Sequence, residues 1–268
     1  MKKLLLSGLI TTAIFGLTAC GGKSEDKLVV GASNVPHAVI LEKAKPLLEK
    51  KGVELEIKKF QDYVLPNKSL ANEELDANYF QGIPFLEKEM KDKKYDFEVA
   101  GKIHIEPIGL YSQKYKNLKE LPDGATIIMS NAITDHGRGL AILQKEGILK
   151  IKDGIDPVKA TVKDIADNPK NLKFKTDIEP GLLTQMYKNN EGDAILINAN
   201  YAIDAKLNPR KDAIALEGKD SPYVNVVAVR KGDKDKKEIK ALVEVLHSKE
   251  IEDFINKEYN GAVIPVKE

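Results

Sequence analysis

Arg138 is the residue whose type and setting point most directly to chemistry. Thr134 and Asp135 can cap a helix, which would put Arg138 in its first turn beside free backbone N–H groups, a good receptor for a carboxylate. An arginine there can equally pair with a nearby surface Asp. Asn198 ends a buried apolar strand, and Asn225 follows Pro222-Tyr223-Val224. A buried amide must find partners, either in a ligand or in backbone. Tyr63 lies in Asp62-Tyr63-Val64-Leu65-Pro66-Asn67, and Phe80 and Phe85 lie in the run from Asp76 to Phe85. These segments read as loops after strands, where open α/β sheets place ligands, although aromatics at such spacing are more often core than pocket.

Other chemistries find no support. There is no Walker A run, and Gly137-Arg138-Gly139 lacks the further glycine and the strand-turn context of a dinucleotide fingerprint, so no cofactor is expected. The histidines His37, His104, His136 and His247 are scattered without metal-ligand spacing, and no metal is expected. No nucleophile elbow occurs, and carboxylates cannot be paired for acid and base work from sequence alone. These motifs give an enzyme no support, and the chain is expected to be a binder, with an enzyme on the same frame as an alternative. With 42 Lys and Arg against 41 Asp and Glu, nothing drives it toward nucleic acid or gives it a polybasic membrane patch.

Lys2 and Lys3 precede an apolar run from Leu4 to Leu17 that is too short to span a bilayer and ends in small residues before Cys20. Residues 1–19 read as a secretory signal. Leu17-Thr18-Ala19-Cys20 resembles the lipobox of bacterial lipoproteins, which makes Cys20 the expected lipidation site and residues 20–26 a polar lipidated tether. The expected product is exported and held on the periplasmic or cell-surface side of a bacterial membrane by its lipid. Cys20 is the only cysteine, so the folded part has no disulfide and must be held by its core. About 250 residues remain for that core, enough for two modest domains.

Short apolar strands alternate with amphipathic helices, which predicts α/β layers with mostly parallel strands. Strands are expected at Leu28 to Gly31, Val53 to Phe60, Phe97 to Lys102 and Ile105 to Ser112, with helices at Val39 to Lys51, kinked or divided by Pro46, and Ile83 to Lys93. A second series follows Pro122-Asp123-Gly124: a strand at Thr126 to Met129, a helix at Gly137 to Glu146 and strands at Leu172 to Lys175 and Ala194 to Asn198. Val224 to Val229 is a strand leading to helices at Lys236 to His247 and Ile251 to Tyr259.

Read in order, Asp62 to Asn67, Asp76-Ala77-Asn78, Phe80-Gln81, Gly137-Arg138, Gln144-Lys145, Asn168 to Leu172, Ile197-Asn198 with Tyr201-Ala202, and Ser221 to Asn225 resemble the methionine-binding lipoproteins of ABC importers, the NlpA or MetQ family. The likeness covers nearly all of the mature chain. It implies the type II periplasmic-binding-protein fold, two α/β lobes joined by two crossing strands with the ligand in the cleft: lobe 1 at 27–110 plus 224–268 and lobe 2 at 111–223. It also implies a monomer that captures methionine, in L and also D form, for an importer permease and ATPase. Family roles fall on Tyr63, Phe80 and Phe85 as walls for the thioether chain, Arg138 on the carboxylate, and Asn198 and Asn225 at the polar end. The chain departs from the family at Gly82, where a histidine is usual, and at Asp135, where an amide is common. Gly82 leaves space, and Asp135 brings a negative charge unless it serves only as the helix cap. A methionine-containing dipeptide, another amino acid, or a surface lipoprotein acting mainly as an adhesin are the alternatives.

Overall fold

The computed structural model describes residues 27–219 and 221–267. The signal segment, Cys20 and the tether lie outside them. β1 (Lys27–Ser33) sends Leu28, Val30 and Ala32 into one buried cluster and Val29 into another, the two-residue alternation of a strand covered on both faces. A π-helical turn at Asn34–Ala38 leads into α1 (Val39–Glu49), and then come β2 (Glu54–Phe60), α2 (Leu65–Ala71), β3 (Ala77–Gly82), α3 (Ile83–Lys93) and β4 (Phe97–Ile105). The chain next enters a second sheet through β5 (Gly109–Tyr111), β6 (Thr126–Ser130) and α4 (Ile133–Lys145). The small pair β7 (Lys150–Ile151) and β8 (Ile165–Asp167) precedes β9 (Lys173–Ile178), α5 (Leu183–Lys188), β10 (Ala194–Ile197), α6 (Ala199–Asp204), α7 (Pro209–Asp212) and β11 (Ala213–Leu216). It returns through β12 (Val224–Arg230) to α8 (Lys237–Leu246), α9 (Lys249–Tyr259) and β13 (Ile264–Pro265).

The first sheet has the order β13-β4-β12-β3-β1-β2 and the second β11-β5-β10-β6-β9. In each, three parallel strands are followed by an antiparallel strand that arrives from the other lobe: β12 beside β3, and β5 beside β10. This exchange of one strand between two α/β lobes is the type II periplasmic-binding-protein arrangement. Most strands of each sheet run in one direction, as expected, and the exchanged strand runs against them because it enters from the opposite end of the sheet. Each sheet is covered on both faces. The core of lobe 1 packs Leu41 of α1, Leu242 of α8 and Ile255 of α9 on one side and Leu70 and Leu86 on the other.

The crossing out of lobe 1 is short, Glu106-Pro107-Ile108. Gly109 and Leu110, expected in lobe 1, pair with Ile197 and Leu196 of β10 and so lie in the second sheet. Pro46 sits inside α1 without dividing it. The larger correction concerns α4, which starts at Ile133 with Ala132 as N-cap, so Arg138 lies in its second turn and Asp135 does not cap it. The glycines that suggest a helix start mark close packing within the helix. A Cβ on Gly137 would lie 2.1 Å from the Pro157 carbonyl oxygen, and one on Gly139 2.2 Å from Met129.

Candidate functional site

All eight residues expected at the ligand, Tyr63, Phe80, Gly82, Phe85, Asp135, Arg138, Asn198 and Asn225, line one cavity between the lobes. Its empty space, with the open solvent at its mouth included, is about 560 Å³. The ends of β3 and β10 and the start of α4 meet there, which is where parallel strands of an open sheet deliver side chains to a ligand.

One end of the cavity is aromatic. Asp62 accepts hydrogen bonds from the backbone N–H groups of Val64 and Leu65 at 2.7 Å, and this turn holds Tyr63 at the cleft. The Tyr63 ring lies 6.1 Å from Phe80, 5.9 Å from Phe85 and 5.2 Å from Tyr201. Alternation along β3 sends Tyr79 into the core and Phe80 to the cavity. Asn67, Asn78 and Gln81 close a buried amide network behind that wall, with bonds of 2.8 to 3.0 Å. The lobes also bond directly: the Tyr63 hydroxyl donates to Asn200 at 2.7 Å and the Tyr201 hydroxyl to the Gln61 carbonyl at 3.0 Å.

The other end is polar. Arg138 Nε and Nη2 fork onto the Glu217 carboxylate, and Nη2 also donates to the Glu106 carbonyl at 2.8 Å. Tyr223 stacks against the guanidinium at 4.6 Å. Both members of the ion pair are about nine-tenths buried. Burial opposes the arginine's charge, but Glu217 more than offsets this and holds its pKa above the ordinary value. The fork thus serves Glu217, and Arg138 also lines the cavity. Glu217 escapes sequence reasoning because it stands 79 residues away in chain order.

Asp135, expected either as a cap or as a charge, accepts at Oδ2 from the Ser130 hydroxyl at 2.8 Å and from Asn198 Nδ2 at 3.1 Å. Asn198 Oδ1 is buried and has no hydrogen-bond partner among the described residues. Beneath the cavity floor, two of the histidines expected to be scattered converge. His37 Nε2 and His104 Nε2 lie 3.0 and 2.7 Å from one oxygen of Glu106, and their Nδ1 atoms face the Ser33 and Tyr79 hydroxyls. Both rings are placed to donate through Nε2 to the Glu106 carboxyl oxygen, with the Ser33 and Tyr79 hydroxyls donating to Nδ1. Burial pushes His37 down to about 4 and His104 to about 3, and it raises the Glu106 carboxyl, opposed by His37 and Arg138. His37 Nε2 also lies 3.1 Å from Asn225 Oδ1, so Asn225 has its NH₂ to offer the cavity. These distances are those of hydrogen bonds. Convergence of a π-turn, a strand and a crossing segment on one oxygen leaves no trace in spacing. Gly82 has room for a Cβ, whose nearest neighbours would be backbone atoms of Tyr223 and Val224 at 3.6 to 3.7 Å, ordinary van der Waals contact.

Residues 28–267 match the family described as NlpA lipoprotein. The chain is 51% identical, over the full length of both, to the methionine-binding lipoprotein MetQ of Bacillus subtilis. Among solved structures, a pheromone cOB1 precursor/lipoprotein of Enterococcus faecalis is 54% identical with a TM-score of 0.88, covering 90% of this chain and 100% of that one. A nutrient binding protein of Burkholderia cenocepacia, bound to methionine, is 40% identical with a TM-score of 0.84 at the same coverage. Two lobes exchanging one strand each, a cavity lined from both, and a match over nearly the whole described length lead to one conclusion: the chain belongs to the NlpA lipoprotein family.

Proposed function

We propose that the chain captures methionine outside the cytoplasm and delivers it to the permease and ATPase of an ABC importer. Membership of a family of transport binding proteins makes it a lipid-anchored, exported carrier, not an enzyme. The observation that carries the ligand assignment is the polarity of the cavity. An aromatic corner of Tyr63, Phe80 and Phe85 faces a charged end around Arg138 and Asn225. A thioether packs favourably against ring edges, by about 0.3–1.5 kcal/mol per contact. Arg138 and the Asn225 NH₂ are then donors for the carboxylate. Cys20 carries the lipid on this reading.

Handover is supported by the cleft mouth. Val64 on one lobe and Ile133 and Leu182 on the other are exposed apolar residues flanking it. Closure brings them together into one surface that a permease can distinguish from the open form.

A second reading, a methionine-containing dipeptide, is favoured by one feature. The cavity continues past Tyr63, Phe85, Ala132 and Thr134 into a largely apolar, solvent-open mouth. Calorimetry with L-methionine, D-methionine, norleucine and methionyl dipeptides tests both. Methionine is expected to bind one to one and more tightly than norleucine, which replaces sulfur by methylene. Binding of dipeptides alone would transfer the assignment to them, and binding of none of these ligands would reject it.

A further inference from the structure

Asp135 and Asn198 together make an acceptor corner in the cavity. Both are more than nine-tenths buried, and both line it. Asp135 Oδ2 accepts from both the Ser130 hydroxyl and Asn198 Nδ2, so the Asn198 amide turns its NH₂ toward Asp135. The opposite orientation would set two oxygens 3.1 Å apart. The Ser130 hydroxyl, 2.8 Å from the same Oδ2, fixes the carboxylate in turn. Asn198 Oδ1 is thereby left buried without a partner among the described residues, an acceptor that a donor entering the cavity would satisfy. Asp135 is not consumed by the nearby arginine, because the ion-pair partner of Arg138 is Glu217. A neutral amide at position 135 would impose neither the charge nor the orientation.

We propose that Asp135 is a specificity-determining residue for a protonated amine on the ligand: its charge attracts the ammonium, and its carboxylate turns the Asn198 carbonyl to receive it. This rests on the reading that the cavity takes an amino acid, and it adds the group that the protein demands at the end opposite the thioether. The ligand class is therefore a free amine; N-acylated and deaminated relatives are excluded.

The test compares L-methionine with 4-(methylsulfanyl)butanoate, which lacks only the amine, on the parent protein, Asp135→Asn, Asn198→Ala and, as a charge control at the mouth, Glu179→Gln. The parent should prefer methionine, and Asp135→Asn should reduce that preference by about tenfold or more. Asn198→Ala should move it the same way and keeps the question open to measurement if Asp135→Asn folds poorly. Glu179→Gln should change it by less than about threefold. A preference unchanged in both Asp135→Asn and Asn198→Ala would overturn the amine assignment alone. So would a fall matched by Glu179→Gln, which would mark a long-range charge effect. Failure of the parent to bind methionine would overturn the assignment together with the reading beneath it.

Discussion

Arg138 is bound by Glu217 and also lines the cavity, so its loss has two separable consequences. Removing it strands Glu217 as a buried carboxylate without its partner, and breaking a buried pair from one side costs roughly 3–5 kcal/mol. Arg138→Ala should therefore lose stability on that order in urea denaturation, and affinity for methionine should drop by about 30-fold or more. Arg138→Met combined with Glu217→Leu replaces the pair by apolar groups. It should recover most of the stability while leaving binding weak, because no stranded charge remains. If the double variant is no more stable than Arg138→Ala, the pair is not what makes the single change costly. Lysine at 138 should rescue little of the stability, since the two-pronged geometry is used on Glu217 and a point charge cannot reproduce it.

At the scale of elements, the buried cluster joins four of them: His37 before α1, His104 on β4, Glu106 at the crossing, and Asn225 on β12. Its titration gives a signed prediction. The folded-state pKa values of both histidines lie below the unfolded value of 6.5, so as pH falls from 6.5 toward 4 the unfolded chain takes up protons that the native state refuses. Each histidine then removes stability at up to about 1.4 kcal/mol per pH unit, a contribution fully present only above 6.5. Glu106, raised in the folded state, works the other way and offsets part of this loss. The net expectation is a lower urea midpoint at pH 5 than at pH 7. Asn225→Ala, which leaves both rings in place, should retain most of that slope, whereas His104→Gln should flatten it. A midpoint independent of pH over this range would contradict the protonation states assigned here.

The same cluster shows where sequence stops being informative. Ile83–Lys93 is readable to the residue because Gly82 and Pro84 mark its start and a left-handed Lys94 ends a run of good helix formers. β3 (Ala77–Gly82) is not, because its Asn78, Tyr79 and Gln81 are a polar-looking run made strand-like only by buried side-chain partners. The start of α4 misleads for a related reason: Gly137 and Gly139 imitate a helix boundary, yet serve close approach to Pro157 and Met129. Tyr63, Phe80, Phe85, Arg138, Asn198 and Asn225 are legible because their order along the chain follows a family pattern. Glu106 and Glu217 belong to no local signal and are found only through the folded distances to Arg138.

For the whole molecule, the question is how much of the binding free energy is carried by closure. The lobes are joined by two crossings, the outward one only Glu106-Pro107-Ile108, and Arg138 on lobe 2 ties to that crossing through the Glu106 carbonyl. Two hydroxyl bonds, Tyr63 to Asn200 and Tyr201 to Gln61, form only when the lobes meet. Each is worth about 0.5–1.5 kcal/mol net. Binding draws on the closed population, so a change that disfavours closure lowers apparent affinity by the same factor even where ligand contacts are intact. The variant Tyr63→Phe with Tyr201→Phe keeps both rings against Phe80 and Phe85 and removes only the two hydroxyls. Its affinity for methionine should fall by roughly 5- to 160-fold, the range that two such bonds allow. Small-angle scattering supplies the independent readout. The parent should become more compact on saturation, and the double variant should need proportionately more ligand to reach the same compact state. Equal ligand requirements for compaction in parent and variant would mean that these bonds do not hold the lobes together. Compaction absent from both would mean that closure is not coupled to this ligand.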